Sequence, residues 1–290
     1  MKWLKKHGLT LILSTILLVG LGLIAYPSFS DYWNSFHQAK AIATYAENVA
    51  DMSQEKYDEI LGKAERYNKK LAKTGIRWQL TEEQKEEYNK QLVVGDTSIM
   101  GYIYIPKIDI TLPIYHGTDE SVLQVAIGHL EGTSLPVGGK TSHCVLSGHR
   151  GLPSAKLFSD LDKMSEGDTF SLTIMNRTLT YEVDQIRVVE PTDLSDLGMV
   201  KGKDYCTLVT CTPYGINTHR LLVRGHRTEN PDGDADVIAD ALQIEPIYIA
   251  PFLAVPILIL LTLGVIIVTN RRIRAIRRRR KALEEHGGSV

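Results

Sequence analysis

The sequence predicts a mainly β domain, a barrel or a sandwich, which follows a helical region and lies between two apolar segments. Three observations predict this class. Before Gly95 the apolar residues recur at helical spacing, and after Gly95 they alternate in short stretches bounded by turn residues. Uncharged segments lie near both ends of the 290-residue chain, whose length suits one large domain or two small ones.

Both apolar segments are long enough to cross a membrane. Gly8 to Tyr26 follows a lysine-rich start, and Pro246 to Asn270 is followed by Arg271 and Arg272. A spanning helix needs ~20 apolar residues, and each segment approaches or exceeds that length. The first segment has an alternative interpretation as a cleaved secretory signal, because small residues follow it at Ser28 to Ser30.

The formal net charge of −1 conceals a basic C-terminal run. Residues 271–281 contain seven Arg and one Lys directly after the second apolar segment. Basic residues beside a span indicate its cytosolic end, so we predict a lipid bilayer as partner and no nucleic acid. Both termini are then cytosolic if the first segment is uncleaved, and residues from Ser28 to about Glu245 are extracellular.

Helix starts in the N-terminal region are signalled by capping residues. Ser53 precedes an amphipathic run that continues to Leu71, and Thr81 with Gln84 forms a capping box for a helix running toward Leu92. The intervening residues 72–80 predict a loop that contains the isolated Trp78.

The most specific strand pairing is predicted between residues 169 and 183. With Asn176 and Arg177 as the turn, Ile174 opposes Leu179, and apolar residues from both strands share one face. Further strands are predicted around residues 102–105, 108–114, 145–147, 186–189, 207–210 and 221–223.

The chain has three cysteines, Cys144, Cys206 and Cys211. An odd number in an exported domain leaves at least one thiol unpaired. The absence of a Cys-x-x-Cys pair argues against a metal site. Cys144 lies five residues before His149, and Cys206 lies five residues before Cys211. Cys144 and Cys206 are therefore predicted to be neighbours if their two strands run side by side. A disulfide and two separate buried thiols both remain open.

Three side chains at predicted strand ends suit acyl transfer. Cys211 ends an extended run before Pro213, His149 ends another, and Arg220 begins the next strand. A thiolate attacks a carbonyl, an imidazole protonates the leaving amine, and a fixed cation holds the developing oxyanion. Spacing alone leaves open that Cys211 is buried filler and that His149 and Arg220 are ordinary surface residues.

The run from Thr207 to Arg220, Thr-Leu-Val-Thr-Cys-Thr-Pro-Tyr-Gly-Ile-Asn-Thr-His-Arg, resembles the sortase signature Thr-Leu-x-Thr-Cys followed by Arg. Other stretches resemble class C, the pilus-assembling sortases of Gram-positive bacteria. They are residues 101–106, 112–117, 128–136 and 146–156. The resemblance covers roughly residues 39–227.

This resemblance implies an eight-stranded β-barrel preceded by helices. It implies Cys211 as nucleophile on a Leu-Pro-x-Thr-Gly-like sorting signal and His149 as general acid and base. It also implies that Arg220 stabilises the oxyanion or positions the signal. Thr210 and Thr212, on either side of Cys211, are candidate substrate contacts. The partners implied are pilin subunits with sorting signals and acceptor lysines, and no metal or organic cofactor is implied.

The resemblance also divides the chain. The predicted parts are a cytosolic start with the first span or signal (1–27), a helical region (28–95) with a possible lid loop (72–80), the catalytic barrel (96–228), a linker (229–245), the second span (246–270) and a basic tail (271–290).

The predicted loop departs from the class C pattern. Class C enzymes carry Asp-Pro-aromatic in a lid over the cysteine, whereas residues 72–80 contain no Asp-Pro. Trp78 is the candidate lid aromatic, and we expect this loop to close weakly or not at all. Two alternative functions remain: a housekeeping sortase that attaches proteins to the cell wall, and a catalytically dead membrane-tethered scaffold.

Overall fold

The computed structural model describes residues 2–95 and 97–230, together with 259, 263–264, 266–269, 271–276 and 278. The chain divides into two compact units, Met1–Phe29 with Gln243–Val290, and Ser30–Leu242. The second unit contains every residue of the predicted catalytic site.

In the first unit, a helix passes through the first apolar segment. The segment Ile12–Ala50 is long and apolar enough to cross a membrane by length and composition. Most of the second predicted span, 246–270, and most of the predicted linker lie outside the described residues.

Within residues 2–230 the α-helices have these bounds: α1 Lys2–Ala50, α2 Gln54–Thr74, α3 Glu82–Asn89 and α4 Glu120–Leu123. Short 3-10 helices lie at Pro106–Ile108, Leu161–Lys163 and Ser195–Leu197. The two predicted caps are confirmed, because the Ser53 side chain accepts from the Lys56 N–H and the Thr81 capping box has both of its hydrogen bonds. Helix α3 ends at Asn89, short of the predicted Leu92.

The loop predicted over residues 72–80 is shorter than expected. Helix α2 continues to Thr74 and ends at Gly75, whose φ of +86° and N–H bond to the Leu71 carbonyl cap the helix. Residues 75–80, here called the α2–α3 loop, are therefore the part that lies outside helix.

The second unit is built on a closed eight-stranded barrel, which confirms the predicted fold. The strands are β1 Ile99–Ile105, β2 Ile110–His116, β3 Ile127–His129, β4 Ser142–Ser147, β5 Thr169–Ile174, β6 Arg177–Val189, β7 Asp204–Thr212 and β8 His219–Arg227. Their order around the barrel is β1-β2-β3-β4-β7-β8-β6-β5. The β2–β3 and β4–β7 pairs are parallel, and the others are antiparallel. The predicted short strand 186–189 is the end of the long strand β6.

The predicted register of the β5–β6 hairpin is wrong by two residues. Ile174 pairs with Arg177, and Leu172 pairs with Leu179. The turn residues are Met175 and Asn176, and Met175 takes a left-handed φ of +57°. A shift of two residues keeps the same side chains on the same face, so the apolar pattern could not reveal the error.

Helices α1 and α2 are fixed to the barrel by buried polar side chains. The Tyr45 hydroxyl donates to the Met100 carbonyl and accepts from the Met175 N–H, both at 2.8 Å. The Asn68 amide donates to the Leu135 carbonyl at 2.9 Å and accepts from its N–H at 2.8 Å. Each contact satisfies barrel backbone groups that burial under the helices removes from water.

Helix α3 makes an equivalent attachment through Tyr88. Its hydroxyl accepts from the Gly117 N–H at 2.9 Å and lies 3.1 Å from the His129 carbonyl oxygen. Burial raises the pKa of Tyr88 well above its ordinary value, so the hydroxyl stays protonated and can donate. All three N-terminal helices thus contribute one buried polar residue to the barrel.

The connection between β6 and β7, residues 190–203 and here called the β6–β7 loop, is attached to the barrel by His143. The buried His143 ring has Nδ1 2.8 Å from the Gly198 carbonyl oxygen and Nε2 2.7 Å from the Thr207 hydroxyl. Burial lowers the pKa of His143, and the hydrogen bond to Gly198 only partly offsets this effect.

This arrangement predicts acid sensitivity. Since the folded-state pKa of His143 is below that of the unfolded chain, the unfolded state takes up a proton first as the pH falls below about 6.5. We expect thermal unfolding of the full chain in detergent to occur at lower temperature at pH 5.5 than at pH 7.5. Each ~1 kcal/mol decrease in the free energy of unfolding corresponds to a Tm decrease of about 2–4 °C. His143→Gln should reduce that decrease, and the exposed His37→Gln is the control. An equal decrease in wild type and His143→Gln would contradict this interpretation.

Candidate active site

Cys211 lies one residue before the end of β7, on the outer face of the barrel. Side chains alternate along the strand, and Cys206 and Leu208 belong to the barrel core. Val209 and Cys211 therefore share the opposite face. Cys211 is a free, partly exposed thiol, whereas Cys144 and Cys206 are buried. Of the three thiols, the one at the strand end is the one that can reach a substrate.

Strand register brings the other two predicted residues to the same level. Cys211 is the direct antiparallel partner of Arg220 on β8. On the other side, Ser147 of β4 pairs with Val209 of β7, so His149 and Cys211 each lie two residues beyond that pair. Since β7 lies between β4 and β8, Cys211 is flanked by the chain segments that carry His149 and Arg220.

Arg220 is held by its own turn. Its Nη1 donates to the His219 carbonyl at 3.1 Å and lies 3.4 Å from the Asn217 carbonyl oxygen. Asn217 has a left-handed φ of +61°, which turns the backbone toward the start of β8. Both contacts use Nη1, whereas the whole guanidinium offers five N–H donors, so these two contacts do not use all of them.

His149 lies beside an acidic residue that the sequence did not signal. Its Nε2 is buried and 3.5 Å from Glu120 Oε2, without hydrogen-bond geometry to that oxygen. Glu120 begins helix α4, and its other carboxylate oxygen accepts a hydrogen bond from Gln124. Hydrogen bonds in unliganded active sites are often long and shorten when substrate binds. The carboxylate is thus placed to stabilise a protonated imidazole.

Thr210 and Thr212 both contact the chain around His149. The buried Thr210 hydroxyl donates to the Gly148 carbonyl at 2.7 Å, and the Thr212 hydroxyl accepts from Arg150 at 3.2 Å. These partners show what both hydroxyls bind within the protein. Substrate contact by either threonine stays a prediction.

An apolar cluster covers the outer face near Cys211. Its members, here called the outer cluster, are Leu130, Val145, Val189, Leu194, Leu197, Val209 and Leu222. Leu194 and Leu197 come from the β6–β7 loop, and the others lie on or beside the strands. Val209 is two residues from Cys211 on the same face, so the cluster extends along β7 toward the thiol.

A cleft of about 610 Å³ separates the α2–α3 loop from the β6–β7 loop. It is lined by Ala72, Gly75, Ile76, Trp78, Thr141, Leu194, Gly198, Met199 and Lys201. The Arg77 N–H donates to the Gly132 carbonyl at 3.2 Å, which attaches the α2–α3 loop to the segment between β3 and β4. Trp78 is 42% exposed in this cleft, and its function as a lid over Cys211 stays a prediction.

Cys144 and Cys206 are neighbours, as expected for strands in register. They are direct partners in the parallel β4–β7 pair, and both are buried free thiols. Burial raises the pKa of Cys206 well above its ordinary value, so this thiol is unreactive near neutral pH. Among the described residues, no group of three or more His, Cys, Asp or Glu is placed to hold a metal ion.

Comparison with known proteins points to one family. The sortase domain family matches residues 103–228. The crystal structure of sortase C1 from Streptococcus agalactiae is 58% identical, with 66% of this chain and 99% of that chain covered and a TM-score of 0.65. Sortase C of Streptococcus pneumoniae, described for its catalysis and pilin substrate specificity, is 44% identical (66% and 97% covered, TM-score 0.60). Sortase D of Bacillus subtilis (strain 168) is 29% identical over 150 residues, 51% of this chain and 72% of that protein.

The barrel and its thiol at the end of β7 therefore define a cysteine transpeptidase. The chain belongs to the sortase family, and its structural neighbours are class C sortases.

Glu120 provides a test of how the imidazole is stabilised. We expect Glu120→Gln to lower turnover by up to about fivefold, because an exposed ion pair is worth about 0.2–1 kcal/mol. The difference from wild type should shrink in 1 M salt, where the Debye length is about 3 Å. Glu82→Gln, which removes an exposed carboxylate 3.9 Å from Lys85, is the control. Equal turnover of Glu120→Gln and wild type at low salt would contradict the assignment.

Proposed function

We propose that this sortase polymerises pilin subunits by transpeptidation. It cleaves a Leu-Pro-x-Thr-Gly-like sorting signal between Thr and Gly and transfers the acyl group to a lysine amine of the next subunit. The similarity over nearly the whole length of class C structures carries this proposal. Streptococcal sortase C with pilin specificity is among those neighbours.

The acylation step uses the three aligned residues. The Cys211 thiolate attacks the threonine carbonyl carbon, and the Arg220 guanidinium stabilises the resulting oxyanion. Protonated His149 gives its proton to the glycine nitrogen as the C–N bond breaks. The products are a thioester on Cys211 and a free glycine amine.

The second step reverses the proton transfer. The lysine amine attacks the thioester carbonyl while His149 accepts a proton from the amine. An isopeptide bond forms, the C–S bond breaks, and the Cys211 thiolate and protonated His149 are restored. Water in place of the amine gives slow hydrolysis.

The outer cluster supports the choice of an apolar sorting signal. Its partly buried members are Leu130, Val189, Leu194 and Val209. Val209 lies two residues before Cys211, and Val189 pairs with Arg220, the strand partner of Cys211. The leucine and proline of the signal would bury apolar surface there, at roughly 25 cal/mol per Å². The β6–β7 loop, which supplies Leu194, would form one wall of this binding surface.

The central experiment is incubation of the full chain in detergent with a Leu-Pro-x-Thr-Gly peptide, followed by mass spectrometry. We expect a thioacyl adduct on Cys211 and none in Cys211→Ala. Arg220→Gln should slow acylation by about 10²–10³-fold, the cost of losing one oxyanion donor. Arg177→Gln, which breaks an exposed ion pair with Glu65, is the control and should acylate normally.

The acceptor distinguishes the alternatives. Adding a lysine-containing pilin peptide together with a cell-wall amine should yield mainly the isopeptide with the lysine. Preference for the cell-wall amine would favour a housekeeping sortase. An absence of adduct, or an adduct on Cys144 or Cys206, would contradict the proposal and leave the tethered scaffold.

We further propose that the catalytic domain is extracellular and anchored in the cell membrane, with both termini cytosolic if the N-terminal span is uncleaved. The apolar N-terminal helix supports anchoring. The basic residues 271–281 beside the second predicted span support the orientation.

The α2–α3 loop is proposed to leave Cys211 accessible without a lid-opening step. Its residues contain no Asp-Pro anchor. The described Arg77–Gly132 hydrogen bond attaches it beside the β3–β4 segment.

One labelling experiment tests both proposals. A membrane-impermeant maleimide applied to intact cells should label Cys211, because the thiol is outside the membrane and partly exposed. Trp78→Ala should change the labelling rate by less than about twofold, since no lid must open. Labelling only after lysis would contradict the orientation, and a large rate increase in Trp78→Ala would identify a closed lid. Cys211→Ala reports the background.

A further inference from the structure

The backbone pairing between β4 and β7 stops before it reaches the reactive residues. The last described backbone hydrogen bond between the two segments runs from the Gly148 N–H to the Val209 carbonyl, at 3.1 Å. His149 and Cys211 lie beyond it. Their separation therefore depends on further contacts around them, since the β4–β7 ladder no longer fixes it.

Two such contacts lie on either side of the reactive pair. On the strand side, Thr210 donates to the Gly148 carbonyl at 2.7 Å. On the far side, Arg150 Nη1 donates to the Thr212 hydroxyl at 3.2 Å. The residues before and after Cys211 are thus bonded to the residues before and after His149.

Arg150 makes two further contacts. Its Nη2 lies 2.5 Å from Asp162 Oδ2, and its guanidinium carbon is 5.8 Å from the centre of the Tyr214 ring. The second distance is within the range of a cation–π contact. One guanidinium thus connects the segment after His149, the segment after Cys211 and the turn at Asp162.

The segment that carries Arg150 is itself supported by the core. The Phe158 N–H donates to the His149 carbonyl at 3.1 Å, and the Gly151 N–H donates to the Ser159 hydroxyl at 3.0 Å. Phe158 is fully buried. Arg150 therefore links Thr212 to a segment anchored in the barrel interior.

The burial of Arg150 separates it from an ordinary surface arginine. Its side chain is 8% exposed, whereas its partner Asp162 is 47% exposed. Its Nε is buried without a described hydrogen-bond partner. A buried charge with an unsatisfied donor is costly, so the ion pair alone does not explain its position.

We propose that Arg150 is a positioning residue for acyl transfer, which holds Thr212 and thereby sets the distance between Cys211 and His149. The proposal rests on the reactive roles proposed above for those two residues. Arg150 acts through them and does not touch the substrate. Arginine suits this function because its rigid fork serves several partners at once, which a lysine ammonium on a flexible stem does not.

Steady-state kinetics of the full chain in detergent give the first test. Arg150→Gln should lower kcat by about tenfold or more, because small misplacements of reacting groups are costly, while KM changes by less than about twofold. Arg150→Lys should recover only part of the loss. Arg177→Gln, an arginine–carboxylate pair elsewhere on the domain, should match wild type. A loss in Arg150→Gln confined to KM would overturn the proposal.

A second readout separates positioning from a general structural role. Iodoacetamide alkylation of Cys211, followed by mass spectrometry, reports how well His149 activates the thiol. Arg150→Gln should slow alkylation in the wild-type background and cause no further decrease in His149→Ala. Equal decreases in both backgrounds would show that Arg150 does not act through His149 and would overturn the proposal.

Thr212 gives a variant that leaves the buried arginine in place. Thr212→Val removes the hydroxyl that accepts from Arg150 and should reproduce the kcat loss, whereas Thr212→Ser retains the hydroxyl and should lose less kcat than Thr212→Val. If Arg150→Gln fails to fold, as judged by circular dichroism, this pair decides the question. Equal kcat for Thr212→Val and wild type would then overturn the proposal.

Cys211→Ala distinguishes failure of the proposed acyl-transfer chemistry from failure of the positioning role of Arg150. Turnover that persists in Cys211→Ala would overturn the proposed chemistry itself. An inactive Cys211→Ala together with wild-type kcat in Arg150→Gln and in Thr212→Val would overturn only the positioning role of Arg150.

Discussion

The parallel pairing of β4 with β7 is the constraint on which the active site depends. These strands are far apart in sequence, and their six registered pairs bring the segment after β4 level with the end of β7. The antiparallel β7–β8 pair then places Arg220 opposite Cys211. Backbone hydrogen bonds thus bring the proposed nucleophile, proton carrier and cation, which come from three segments, to the same level of the barrel. A slip of one residue in either ladder would turn the side chains of that strand to the opposite face.

Local signals in the sequence were sufficient for some of these features. Ser53 and the Thr81–Gln84 pair begin helices as predicted, because caps are formed by neighbouring residues. The equal spacing of Cys144 from His149 and of Cys206 from Cys211 anticipated the in-register neighbours. Cys211 and Arg220 lie at strand ends as predicted, whereas His149 lies two residues beyond the end of β4.

Long-range features were beyond such reasoning. The β5–β6 turn was misplaced because Met175 takes a left-handed conformation that its residue type does not signal, while its N–H bonds to Tyr45 far away in sequence. Glu120 lies on a helix of four residues and has no motif of its own. Arg150 was visible beside His149, but only the folded chain shows its burial and its bond to Thr212.

The attachments made by Tyr45, Asn68 and Tyr88 bear on what counts as the autonomous folding unit. The sortase family match begins at residue 103, and the predicted barrel begins at residue 96. A fragment cut at either point would lose the side chains that satisfy backbone groups at Gly117, Leu135 and Met175. Those backbone groups would be exposed to water, or the fragments would aggregate with one another. The smallest fragment that we expect to fold alone therefore includes α2, α3 and the part of α1 that packs on the barrel. The region matched by the sortase family is smaller than this folding unit.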